Sequence, residues 1–267
     1  VLKLGIAGLG TIGGDVLCRL ASENSDFKIS GICTRSHDKA KALLAELGVD
    51  VPLLDPAALA KHCDVIVEAV PSNAFMDVVM PAINHGVTIV TVSGGALLQN
   101  PDIADKALAK GARIILATGA LIGLDAVRAA AKGKISSVHM VTRKPPDSLK
   151  TAAYVVDHNI SLENLSEAKQ LYAGPAREGC RRFPANVNVA AALSLAGIGP
   201  DETHLEIWAD PDVDRNTHNI TVVADSARFT MTIENIPSPT NPATGRITAL
   251  SVLAALDGLV TPLRVGS

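Results

Sequence analysis

The chain opens on Leu2-Lys3-Leu4-Gly5-Ile6-Ala7 and runs straight into Gly8-Leu9-Gly10-Thr11-Ile12-Gly13. An apolar strand feeding a GxGxxG turn leaves few folds open. Gly8 permits the tight turn, Gly10 lets the backbone approach a pyrophosphate, and Gly13 allows close helix–strand packing. Residues 15–20 read as the following helix. Its N-terminus presents N–H groups and the positive end of the helix dipole to phosphates. The turn is expected to hold a dinucleotide, with Thr11 and Ile12 among the contacts.

The pattern that follows supports this reading. Apolar segments at 28–34, 63–69, 87–92 and 113–117 alternate with helical ones at 38–47, 75–84 and 101–110. Continuous apolar strands separated by helices of about ten residues predict a parallel sheet covered on both faces. Near residue 119 the character changes. Segments 135–143, 203–209, 218–224 and 227–234 alternate polar and apolar residues, as antiparallel strands with one wet face do. The expected architecture is α/β: an N-terminal Rossmann, doubly wound parallel sheet, then a second α/β domain on a mixed or antiparallel sheet. The apolar helical tail at 248–259 is expected to return to the first domain. The domain reading is therefore 1–118 plus 240–267 for the cofactor, and 119–239 for substrate binding and dimerisation.

Composition removes other classes. A net charge of −3 and an aromatic content of 3% argue against nucleic-acid or acidic-membrane binding. The four cysteines, Cys18, Cys33, Cys63 and Cys180, form no CxxC pair, which predicts neither a zinc ribbon nor a disulfide framework. No metal-ligand cluster is legible. No apolar run reaches the ~18 residues of a membrane span. With no basic leader at the start, the expected location is cytoplasmic.

The second strand ends in Cys33-Thr34-Arg35-Ser36. NAD-specific folds usually carry an acid here for the ribose hydroxyls. Thr34, Arg35 and Ser36 instead suit a 2′-phosphate, so the cofactor is read as NADP or NAD with a lean to NADP. Solvated-loop status for Arg35 is the plain alternative. Glu68-Ala69-Val70-Pro71-Ser72, Ser93-Gly94-Gly95-Ala96 and Thr118-Gly119-Ala120-Leu121-Ile122-Gly123 each close a strand. Together they read as three small-residue loops framing a groove for a flat ring, with Ala69 and Val70 in contact with the cofactor. In Phe183-Pro184-Ala185-Asn186-Val187-Asn188, the two asparagines read equally as helix caps or as ligand contacts. His218 follows the polar turn 210–217 and has the most loop-edge context of the seven histidines. From context alone it is either a proton-handling group or a structural strand-edge residue. His37, His62, His85 and His158 read as surface residues, and His139 and His204 lie in alternating strands.

Taken together, GLGTIG, SGGALL, TGALIGLDA with VTRKP, FPANVNVAAALSLAG, ADPDVDRNTHNI and NPATGRITALSVLAAL resemble the L-aspartate dehydrogenase family. The likeness spans nearly the whole chain, and the NVNVAA and DP-x5-H blocks are its most specific parts. It implies hydride transfer between the CH–NH2 carbon of L-aspartate and a nicotinamide nucleotide, giving iminosuccinate or oxaloacetate plus ammonia, or the reverse. It also implies a homodimer. His218 becomes the catalytic histidine, and Ala120 and Asn188 the nicotinamide contacts. The family pattern leads one to expect basic residues where Ala185 and Ala243 stand. Arg143, Lys144 and Arg246 are possible substitutes, with Arg143, Lys144 and Asn186 as candidate substrate contacts. No metal is required.

Three other readings remain. A dihydrodipicolinate-reductase-like or other amino- or oxo-acid NADP oxidoreductase shares the two-domain plan, but the paired histidines of the former are missing. A semialdehyde dehydrogenase would need an acylatable cysteine, for which Cys180 is the candidate. A non-catalytic nucleotide sensor would keep the glycine turn without needing His218.

Overall fold

The structure is a computed structural model and describes residues 1–22, 25–184, 188–239, 241 and 244–266. Two compact units make up the chain: residues 1–117 with 248–262, and residues 118–247 with 263–267.

The first unit runs β1 (Leu2–Ala7), α1 (Thr11–Ser22), β2 (Phe27–Cys33), α2 (His37–Leu47), α3 (Pro56–His62), β3 (Val65–Glu68), α4 (Phe75–Asn84), β4 (Thr88–Thr91), α5 (Gly94–Gln99), α6 (Ile103–Ala109) and β5 (Arg113–Leu116). The strands form one parallel sheet in the order β2-β1-β3-β4-β5. Side chains leave a strand alternately to either face, and here each face meets its own helices. Leu4, Ile6, Val65, Val67 and Val90 join Val16, Leu17 and Leu44 of α1 and α2. Ile66 and Ile89 join Leu59, Phe75, Val79, Ile83 and Ile103 of α3, α4 and α6. The sheet is thus doubly wound, which is why its strands read as unbroken apolar runs.

The second unit comprises α7 (Leu124–Ala130), β6 (Ile135–Lys144), α8 (Ala153–Asp157), β7 (Lys169–Pro175), α9 (Ala176–Arg182), α10 (Asn188–Ala196), β8 (Thr203–Ala209), β9 (Thr217–Ala224) and β10 (Arg228–Glu234). Its sheet has the order β10-β9-β6-β8-β7. Only β6 and β8 are parallel, so the sheet is mixed. One face is covered: Val138, Met140, Leu205, Ile207, Ile220 and Val222 are buried, and Gly197 after α10 sits close to Val138. The chain then supplies α11 (Ile247–Val260), whose Ala249, Val252 and Leu256 pack into the first unit beside Leu4 and Val16.

Several elements escape the sequence pattern. The α3 helix has Pro56 in its first turn and Asp55 as its cap, the carboxylate accepting from Ala58 N–H at 2.8 Å. Both signals stand in the sequence, but seven residues are too few for periodicity to register. The β7 strand ends Ala-Gly-Pro and lies at a sheet edge, where strand propensity is weakest. Ser93-Gly94-Gly95-Ala96 is a correction. It opens no loop: Gly94, Gly95 and Ala96 are buried in the start of α5. Burial of small residues overrides the poor helix propensity of glycine.

Two glycines of the first turn are fixed by packing. Gly8 has φ +91°, and a Cβ there would lie 2.5 Å from the Ala69 carbonyl oxygen; a Cβ on Gly13 would run into the Gly8 carbonyl. Gly10 differs, since a Cβ there meets nothing within 4 Å. Gly13→Ala is therefore expected to cost about 1–3 kcal/mol in urea unfolding, the usual range for overpacking. Gly10→Ala should leave the unfolding midpoint unchanged and weaken nucleotide binding. Equal loss of stability in both variants would show that the turn's glycines serve the fold alone.

Candidate active site

Because the first sheet is parallel, all its strands end at one edge. The β1 strand pairs with β2 on one side and β3 on the other, so the chain changes direction across the sheet at β1. Ligands of open α/β sheets bind outside the strand ends at such a point. Three predicted segments meet there. Gly8 N–H donates to the Cys33 carbonyl at 2.8 Å, and Ala69 N–H donates to the Ala7 carbonyl at 2.9 Å. The glycine turn, the Thr34–Ser36 segment and Ala69–Val70 thus share one edge.

The N-terminus of α1 faces this edge with Thr11, Ile12 and Gly13, and Gly14 N–H donates to the Gly10 carbonyl at 2.8 Å. The open space at Gly10 fits a ligand phosphate brought against the backbone. Thr34 is half-buried, and Arg35 and Ser36 are exposed. Ser36 precedes α2 without a side-chain capping bond. No acid stands at this strand end.

Glu68 is fully buried at the same edge and was not singled out from the sequence. Its Oε1 accepts from Val70 N–H at 2.9 Å and its Oε2 from the Thr91 hydroxyl at 2.5 Å, while Thr91 Oγ1 accepts from Ser93 N–H at 2.9 Å. Burial pushes its carboxyl above the ordinary range, against the pull of these bonds. The carboxylate sets the course of Ala69 and Val70 where they pass Gly8.

In the second unit, register brings three polar side chains onto the covered face. Thr142 on β6 stands directly across from His218 on β9, and Lys144 follows two residues on. Only 2% of His218 is exposed, 2% of Thr142 and 4% of Lys144. His218 is the second residue of β9, where the polar turn enters the strand as the sequence suggested, but it lies buried on the covered face. His218 Nδ1 and Thr142 Oγ1 are 3.1 Å apart. Burial pushes the imidazole down to about 3, and the neighbouring Lys144 cation contributes to the same shift. Burial also pushes the Lys144 ammonium down to about 8. His218 is thus neutral at neutral pH. Its folded value lies below the ordinary 6.5, so between about 6.5 and about 3 the unfolded chain binds the extra proton. The imidazole therefore withdraws stability as pH falls through that window.

Arg143 and Lys144, both candidate substrate contacts from the sequence, lie on opposite faces of β6. Neighbouring strand residues point to opposite faces. Arg143 lies on the other face, its Nη1 donating to Asp210 Oδ2 at 2.7 Å and its guanidinium 5.1 Å from the Trp208 ring centre. Burial pushes the Asp210 carboxyl up, but the bonds from Arg143 and Asp212 N–H bring it below its ordinary value.

Ala120 lies in the turn before Gly123, and its carbonyl accepts from the Asn235 amide at 3.2 Å. Asn235 is buried and was not anticipated. Asn188 is the exposed first residue of α10. Asn186, Ala185 and Ala243 lie outside the described residues, and Arg246 is exposed. Cys180 does not suit the acylating role: it is buried, and burial pushes its thiol up to about 12, leaving almost no thiolate at neutral pH.

Comparison with known proteins bears on both units. Residues 8–117 match the family described as homoserine dehydrogenase, NAD binding domain, and residues 125–259 match aspartate dehydrogenase, C-terminal. L-aspartate dehydrogenase 3 of Bordetella bronchiseptica is 48% identical over 267 residues, covering all of this chain and 98% of that protein. The chain belongs to the L-aspartate dehydrogenase family. The L-aspartate dehydrogenase of Bradyrhizobium diazoefficiens is 50% identical over 266 residues, covering all of this chain and 94% of its own length. The crystal structure of aspartate dehydrogenase from Thermotoga maritima covers all of both chains with a TM-score of 0.76 at 21% identity, a likeness of fold. The chain is an oxidoreductase with L-aspartate dehydrogenase activity, and its first unit is an NAD(P)-binding domain. Among the described residues, no helix is long and apolar enough to cross a membrane.

The electrostatic link between Lys144 and His218 can be measured. In Lys144→Met the cation is gone while the burial remains. The His218 Cε1–H resonance should then titrate at higher pH than in the parent, still below 6.5. An unchanged midpoint would mean that the imidazole does not feel the Lys144 charge.

Proposed function

We propose that His218 is the proton-handling residue of this L-aspartate dehydrogenase and that Lys144 binds a substrate carboxylate. The nucleotide, when bound, accepts the hydride that leaves the substrate Cα as the C–N bond becomes an imine. The amine must be neutral for that hydride to leave, so a base has to take a proton from the ammonium group. A neutral imidazole fills this role. With Nδ1–H donated to Thr142 Oγ1, Nε2 keeps its lone pair for that proton. Two substrate carboxylates near Lys144 offset its charge and raise the basicity of His218, so the base strengthens when substrate arrives. Once that proton has passed to solvent, the same imidazole removes a proton from the water that attacks the imine carbon and returns it to the departing nitrogen. The products are oxaloacetate and ammonia.

The observation that carries this reading is the buried trio of His218, Thr142 and Lys144 on one sheet face. Burying polar side chains costs stability unless they are hydrogen-bonded, and buried ionisable groups with displaced pKa values on one face mark a candidate functional site.

The first unit, with α11, is read as the cofactor domain and the second as the substrate and dimer domain. Gly8, Gly10, Thr11, Ile12 and Gly13 take the pyrophosphate, with Ala69 and Val70 beside the nucleotide and Ala120 and Asn188 at the nicotinamide. Thr34, Arg35 and Ser36 take the adenosine ribose and favour NADP(H), since Arg35 stands where an NAD-specific fold keeps an acid. The protein is read as a homodimer joined through the second sheet. That sheet ends in β10, seven residues whose outer edge pairs with no strand among the described residues. An open edge of this length invites a second copy.

Three measurements test these assignments. His218→Ala should lower turnover with L-aspartate by ~10²–10⁴-fold, the usual cost of losing an acid–base group, with nucleotide affinity retained. Near-normal turnover would reduce His218 to a structural role. Arg35→Ala should raise the Michaelis constant for NADPH more than for NADH; equal effects would remove Arg35 from the 2′-phosphate. Light scattering at micromolar concentration should give twice the chain mass, and a monomer would overturn the dimer.

A further inference from the structure

The wet face of the second sheet carries a group of side chains that the reaction does not use. His139 on β6 and His204 on β8 are direct neighbours across the parallel pair. Their ring centres are 5.0 Å apart and the rings are tilted by 58°. Glu206, two residues along β8, presents its carboxylate to the same spot, with Oε1 2.9 Å from His139 Nε2. One ligand atom from each of the three lies within 4.8 Å of the others.

We propose that His139, His204 and Glu206 form a binding site for a divalent first-row transition ion, of which zinc is the type. Two imidazoles and one carboxylate are a ligand set that zinc accepts, with water completing a tetrahedron. Ligand distances of about 2.0–2.2 Å place neighbouring donor atoms of a tetrahedron about 3.4 Å apart. The His139–Glu206 pair is already near that spacing, and side-chain rotation brings in His204, which is exposed and has room to turn. The ion takes the place of the proton that His139 Nε2 donates to Glu206 Oε1, and a neutral imidazole carries that proton on Nδ1 instead.

The carboxylate is prepared for this role. Glu206 Oε2 accepts from Trp208 Nε1 at 2.8 Å and from Gln170 Nε2 at 3.0 Å, leaving Oε1 directed at the imidazoles. Partial burial pushes its carboxyl up, and the bonds from Trp208, His139 and Gln170 more than reverse this, so the group is held ionised. Outer partners that orient a ligating carboxylate are typical of metal sites. An ion here would tie β6 to β8, the central strand pair of the sheet. It would do so on the face opposite His218, three residues before Thr142.

The sequence alone suggests no metal site because these ligands have no metal-binding spacing. His139 and His204 are joined only by strand register.

The test uses the full chain without a histidine tag, freed of metal by chelation and dialysed against zinc chloride. Metal analysis should find one tightly held zinc per chain. Cobalt chloride should give the visible absorption of a tetrahedral site. His204→Ala and Glu206→Gln should each abolish the stoichiometric zinc and the cobalt spectrum. Trp208→Phe, which keeps all three ligands and loses the donor that orients Glu206, should weaken zinc binding by about 10–100-fold. His37→Ala, at an exposed histidine far along the chain, should bind zinc as the parent does. Absence of stoichiometric zinc in the parent would overturn the site. So would zinc binding that survives both His204→Ala and Glu206→Gln.

Discussion

The first unit is organised by one close approach. The backbone of the glycine turn after β1 touches the backbone leaving β3, and a side chain at Gly8 would drive into the Ala69 carbonyl. The helix that follows is held as closely, because Gly13 lets its first turn lie on the Gly8 carbonyl. These contacts fix where α1 begins and aim its N–H groups at the sheet edge. Glu68 secures the other side. A fully buried carboxylate is costly unless its oxygens are satisfied, and its bonds to Val70 and Thr91 offset that cost while shaping the Ala69–Val70 backbone. Of the three glycines of the GxGxxG turn, packing leaves room for a side chain at Gly10 and not at Gly8 or Gly13.

The second unit solves a different problem. Its mixed sheet has one covered face, and most of that face is apolar. Thr142, Lys144 and His218 interrupt it at the ends of β6 and β9. Desolvation keeps the imidazole neutral and lowers the lysine toward neutrality. Burial thus brings Lys144 toward neutral pH, while it moves His218 away from its ordinary 6.5 and holds it as a neutral imidazole. The same strands carry polar and ionic groups on the wet face, where Arg143 and Asp210 pair. Alternation along β6 therefore sends adjacent residues to opposite faces: Arg143 pairs with Asp210 and Lys144 lies on the face of the histidine.

Much of this was legible in the chain. Unbroken apolar runs spaced by helices dictate a doubly wound parallel sheet, because only strands buried on both faces can be so uniformly apolar. The glycine turn marks its own position, since strand, turn and helix are contiguous. The alternation in 135–144 and 203–209 announces a sheet with one wet face. The short helices α3 and α5 left too brief a trace for periodicity.

Tertiary structure alone decided which distant residues meet. Nothing local in the sequence joins Thr142 to His218 across 76 positions, or His139 to Glu206 across 67. Strand register makes both pairs, and register follows from which side chains each sheet buries. It also decided that His218 is interior, since a polar turn before a strand says nothing about what covers the strand. The sequence determined the kinds of element and the chemistry each carries. The fold determined their neighbours, because burial and alignment are properties of the packed chain and not of any one segment.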